Sequence, residues 1–200
     1  MSYRTRRIAA CIALAASWSL AASNTSATPP PGTPMEQVST TASTQAAPDR
    51  DFDFLRGHWY VRNKRLLKQL QGSTDWTNSS GTLIGMPLLE GMGNYDELRS
   101  DDSGPLGVSI RFYDRQARRW SDYWVAHRDG VLQPPVFGVF ADGVGTFEGE
   151  DSLDGKAIRV RQLWTGIGSA TPRWEQAFSG DGGKTWETNW VMDFSRTPMR

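Results

Sequence analysis

From Trp59 to Phe194 apolar and polar residues alternate with a period of two, the pattern of strands that bury one face. The last segment shows it best. Trp186, Thr188, Trp190, Met192 and Phe194 share one face, and Glu187, Asn189, Val191 and Asp193 share the other. Before it, Trp174, Gln176 and Phe178 oppose Arg173 and Glu175, while Ile158, Val160, Gln162 and Trp164 oppose Arg159 and Arg161. Val108, Ile110 and Phe112 likewise oppose Ser109 and Arg111. Further strands are predicted at 59–66, 73–85, 92–99, 119–127, 136–141 and 144–151. Turn residues separate them at Asp114 to Arg118, Asp142-Gly143, Asp154-Gly155 and Asp181-Gly182-Gly183. Asp-Gly between alternating runs signals a hairpin, because the tight turn needs positive φ. Asp49 to Arg56 reads as one short N-terminal helical turn, ended by Gly57. The predicted fold is all-β, an antiparallel up-and-down barrel of about nine or ten strands, since closure removes the exposed edges of so long a meander. A two-sheet sandwich is the alternative.

The N-terminal stretch breaks this pattern. Arg4, Arg6 and Arg7 precede a short apolar run from Ile8 to Leu20, with small residues following at Ala21-Ala22-Ser23 and Ser26-Ala27. This has the form of a signal peptide over 1–27, too short to span a bilayer at ~20 residues; a retained anchor is the alternative. Residues 28–48 are rich in Pro, Thr, Ser and Ala and read as a disordered tether. The barrel domain then occupies 49–200. The expectation is an exported protein, periplasmic or extracellular, with no transmembrane span in the mature chain.

Composition fits that division. The whole chain of 200 residues has 22 basic and 22 acidic residues, one Cys, two His and nine Trp. Removing the signal takes three Arg, the only Cys (Cys11) and Trp18, which leaves 19 basic against 22 acidic residues and eight Trp. A net near −3 argues against nucleic acid as a partner, because phosphate binding needs surplus Lys and Arg. No thiol remains for a disulfide or a thiolate metal site. His58 and His127 have no metal-ligand spacing, and neither metal nor cofactor is implied.

Gly57-His58-Trp59 opens the first strand directly after the helical turn. Glycine lets the chain bend into a barrel mouth, and a Trp at that point can plug the closed end. G-x-W in this position resembles the opening of lipocalin-type barrels, in which a basic residue after the last strand stacks on that Trp. Arg196 occupies the matching place here, so an Arg196–Trp59 stack is expected. An ordinary core Trp is the alternative reading. Phe52-Asp53-Phe54-Leu55-Arg56-Gly57-His58-Trp59 forms a set with Pro87-Leu88-Leu89-Glu90-Gly91-Met92-Gly93-Asn94. Arg173-Trp174-Glu175-Gln176-Ala177-Phe178-Ser179, Asp181-Gly182-Gly183, Thr185-Trp186-Glu187 and Asn189-Trp190 complete it. Together they resemble an uncharacterised bacterial family of lipocalin-like (calycin-type) domains over about residues 50–196. The resemblance implies a fold and carries no activity. Barrels of this superfamily that hold haem use a late-strand His, and none follows His127 here.

Ser179 to Trp186 also fits an Asp-box, S-x-D-x-G-x-T-W. It resembles the repeated hairpins of sialidase-type propellers, but one copy in a domain this short reads as structural: Asp181 caps the turn and Gly183 supplies positive φ.

Inward-facing Trp residues would carry polar groups with them. Asp122 lies between Trp120 and Trp124, Gln162 between Val160 and Trp164, and Gln176 between Trp174 and Phe178. Burying each without a partner costs ~1–3 kcal/mol, so they pair with one another, with water or with a ligand. Trp76, Asn94, Asp96, Trp124 and Trp190 can join the same wall, although a bulge would shift the phase by one residue. Three functions follow. The first is an exported barrel that binds a small amphipathic or aromatic molecule inside. The second is an enzyme on the same barrel with an interior carboxylate, Asp122 or Glu175, as acid/base. The third is an envelope glycan- or protein-binding module with Trp exposed on its rim. A filled core without a ligand is the plain alternative to all three.

Overall fold

Asp142-Gly143 and Asp154-Gly155 each turn the chain with both residues at positive φ, 50° and 76° in the first pair and 51° and 76° in the second. That is the conformation two-residue hairpins require. The computed structural model describes residues 47–199; the expected signal peptide and almost the whole tether lie outside the described residues.

Ten strands follow one another: β1 (Gly57–Leu66), β2 (Trp76–Leu88), β3 (Gly93–Ser100), β4 (Gly104–Asp114) and β5 (Arg119–Ala126), then β6 (Val136–Ala141), β7 (Val144–Leu153), β8 (Lys156–Thr165), β9 (Arg173–Ser179) and β10 (Glu187–Ser195). Each pairs antiparallel with its neighbours in sequence, and β1 pairs with β10, which closes the barrel and excludes the sandwich. The expected helical turn at 49–56 is two 3-10 turns, Pro48–Arg50 and Asp53–Leu55.

Those turns fold across the end of the barrel where β1 begins. The Phe52 ring sits edge-on to Trp120 and Phe140, both at 4.9 Å between centroids, and 5.7 Å from Phe147. Trp59 Nε1 donates to the Leu55 carbonyl at 3.2 Å. The Arg196 guanidinium lies 3.5 Å from the Trp59 ring centroid. It also donates to the carbonyls of His58 at 2.7 Å, Phe54 at 3.0 Å and Arg56 at 2.9 Å. Gly57, at φ +88°, makes the bend that brings these carbonyls together.

Two expectations about phase need correction. On β4 the apolar face points outward, with Phe112 38% exposed, while Ser109 and Arg111 are buried inside. On β10 a bulge between Thr188 and Trp190 breaks the alternation: Trp190, Met192 and Phe194 stay inside, Thr188 is exposed, and Asn189 is buried.

Candidate functional site

The hairpin between β4 and β5 sets Tyr113 opposite Trp120 and therefore Arg111 opposite Asp122. On the other side β3 places Asn94 opposite Arg111 and Asp96 opposite Ser109. All four polar side chains of this cluster, Arg111, Asp122, Asn94 and Asp96, are buried. Arg111 Nε donates to Asp122 Oδ2 at 2.9 Å, and its Nη1 donates to Asn94 Oδ1 at 3.1 Å and to Asp96 Oδ2. The guanidinium stands 4.9 Å from the Phe52 ring centroid, so the cluster rests on the aromatic plug. Burial works against the charge on Arg111, but Asp122 and Asp96 outweigh it and hold the guanidinium above its ordinary pKa. Burial pushes the Asp122 carboxyl up to about 6; Arg111 pulls the other way, and the charge of Asp96 adds to the rise.

Beside this cluster lies a cavity of about 100 Å³. Its polar wall is Asp96, Ser109, Arg111 and Asp122, and its aromatic wall is Trp124, Trp164, Trp174, Phe178 and Trp190. The rings hold one another at an angle. Trp174 meets Trp190 at 5.1 Å and 87°, and Trp124 meets Trp190 at 6.1 Å and 80°. Trp124 lies close because residue 107 is glycine: a Cβ there would come within 2.4 Å of the indole. Gln162 and Gln176 cross the aromatic wall as opposed partners on β8 and β9. Gln162 Oε1 accepts from Trp174 Nε1 at 3.4 Å, and Gln176 Nε2 donates to Asn189 Oδ1 at 3.0 Å. Trp190 Nε1 donates to Asn63 Oδ1 at 3.0 Å. The buried Nδ2 atoms of Asn63 and Asn189 and Nε1 of Trp164 have no hydrogen-bond partner among the described residues.

The cavity reaches the surface where pairing in the barrel is thinnest. β5 and β6 pair only over Trp120–Asp122 and Val136–Gly138. Beyond that point the Trp124 carbonyl accepts from Gln133 N at 2.8 Å, and Gln133, exposed Pro134, exposed Glu150 and half-buried Asp151 surround the opening.

Of the residues singled out from the sequence, Asp122, Trp124, Gln162, Gln176 and Trp190 line the cavity. Asn94 does not line it but holds Arg111. Trp76 does not belong to it either. It lies under Lys64 at 4.9 Å, at the start of β2, where the alternation puts it outside. Glu175 is also outside the cavity, 3.5 Å from Arg173 in an ion pair. Trp186, at the barrel rim, is covered by Arg161 at 4.4 Å. His58 and His127 are exposed and do not line the cavity. Asp181 behaves as the Asp-box turn requires. Its carboxylate accepts from the backbone N–H groups of Thr185 and Lys184 and from the hydroxyls of Thr185 and Ser179, which hold it well below the usual carboxylate range. Gly182 and Gly183 take φ of 77° and 95°.

The sequence reading missed Arg111, the central residue of the cluster, and Asn63 and Asn189. Hairpin register would have found Arg111: with Trp120 inside and a turn over 115–118, Tyr113 and then Arg111 must also face inward. Asn189 is hidden by the bulge, which no composition cue marks.

In comparison with known proteins, no family model and no curated protein matches the chain. Among the described residues no helix is long and apolar enough to cross a membrane.

Proposed function

We propose that this protein is an exported, lipocalin-like barrel that binds a small amphipathic or aromatic molecule in its interior. The observation that carries the reading is the cavity itself, in which five aromatic rings face a buried polar cluster. An apolar pocket with a few convergent polar groups is the usual form of a small-molecule site. Support for the lipocalin-like part is the Arg196–Trp59 stack behind a G-x-W turn; support for export is the basic-then-apolar N-terminal pattern.

Size bounds the ligand. An engineered cavity of ~150 Å³ holds benzene, so about 100 Å³ suits roughly four or five heavy atoms. At a ceiling of ~1.5 kcal/mol per heavy atom, such a ligand binds no tighter than the micromolar range. The test is a titration of intrinsic Trp fluorescence with tert-butanol, isobutanol and pyrrole. A saturable change with at least one probe, weakened by Gln176→Leu, is expected. A linear, unsaturable response to all three overturns the reading.

A further inference from the structure

Resting on that reading, we infer that the ligand is a small organic cation, an amine or alkylammonium. The reason is a charge that the cluster leaves over. Arg111 is one cation held between two carboxylates, and both carboxylates are buried. Arg111 engages Oδ2 of each, which leaves Oδ1 of Asp96 and of Asp122 for another donor. Both residues line the cavity. A buried, uncompensated carboxylate is costly, and it is relieved by a proton or by a second cation beside it.

The remaining lining agrees in sign and in kind. Asp151 and Glu150 stand at the opening, so four carboxylates and one guanidinium border the cavity. A cation entering there meets negative charge first and deepest. Trp124, Trp174 and Trp190 line the same cavity, and their π faces and crossed orientations suit the alkyl surface of an ammonium ion. Arg65 covers one face of Trp190 at 3.8 Å, so the cation sits on the side toward Trp124 and Asp122. At the cluster itself an anionic head group finds no free counter-charge, since Arg111 is already shared by two carboxylates; the other guanidinium near the cavity, Arg65, is stacked on Trp190 and does not line it.

The test compares tert-butylammonium chloride with tert-butanol, which has the same shape and no charge, at constant ionic strength, by Trp fluorescence and calorimetry. Tert-butylammonium is expected to bind at least tenfold tighter than tert-butanol. Asp122→Asn is expected to reduce that preference to within about twofold, and Asp96→Asn provides the same removal of charge from the other side of β4. Equal or tighter binding of tert-butanol by the unaltered protein overturns the cation inference and leaves the ligand-binding reading standing. Saturable binding of neither probe overturns both.

Discussion

At the end of the barrel where the chain enters, Phe52, Trp59, Phe147 and Phe194 are each at most 3% exposed and pack ring against ring. Toward the other end the interior holds a guanidinium, two carboxylates and two glutamines among its Trp residues, and a cavity remains. The polar groups of the first end are largely backbone carbonyls, and Arg196 reaches three of them from outside. Those of the second end are side chains that cannot all be satisfied by one another, as the orphan Nδ2 of Asn63 and Asn189 shows. The same ten strands therefore carry a filled, stabilising half and a hollow, chemically loaded half. Stability and function separate along the barrel axis, and substitutions should separate with them.

The largest effect is expected from breaking the buried ion cluster. Arg111→Leu strands two carboxylates in the interior and should cost about 3–5 kcal/mol in denaturant unfolding. Adding Asp96→Asn and Asp122→Asn to that variant should recover most of the loss, since it removes the uncompensated charge. At the filled end, Arg196→Ala gives up a cation–π contact worth ~1 kcal/mol and three charge-assisted hydrogen bonds that are partly open to water, for a loss of about 2 kcal/mol. Probe binding in the cavity should not change in that variant. If it does, the two halves are not independent.

The hollow half should also reveal itself in pH. Asp122 faces Arg111 of β4, Asp96 of β3 and, across the cavity, Glu150 and Asp151 of β7. Its carboxyl is pushed up to about 6 when folded, against an ordinary value of 3.8, so between these values the folded state holds more protons than the unfolded one. Its contribution is therefore fully favourable below about pH 4 and is lost as pH rises through about 6. Unfolding free energy of the unaltered protein relative to Asp122→Asn should fall across that window by up to about 3 kcal/mol. An unchanged difference would mean that Asp122 stays fully compensated by Arg111. The smallest effect is expected at Trp76→Ala, half-buried outside the barrel, where loss of the Lys64 contact should cost about 1 kcal/mol with probe affinity unaltered.

Much of this arrangement was legible in the chain. Alternation and Asp-Gly turns specify strands and hairpins locally, so strand number, closure and the Gly57-His58-Trp59 entry follow from sequence. Asp122, Gln162 and Gln176 were readable as inward-facing because each lies between apolar residues on one strand face; Asp122 is buried and the two glutamines are half-buried. The apolar outer face of β4 was misleading: Val108, Ile110 and Phe112 have the look of a core strand, yet the inward residues are Ser109 and Arg111. Hydrophobicity chose the wrong face there because what fills this part of the interior is an ion cluster assembled from three strands. Only pairing register brings its members together. Trp76 was misplaced for a similar reason, since at the strand's first residue alternation has no buried neighbour to fix its phase.

The central claim, a hollow half beside a filled one, is tested most directly by the anomalous difference map of a xenon-pressurised crystal. The account predicts xenon among Trp124, Trp174 and Trp190, and none beside Trp59 or Phe147. A barrel that admits no xenon, or one that takes it up at the Trp59 end, would contradict it.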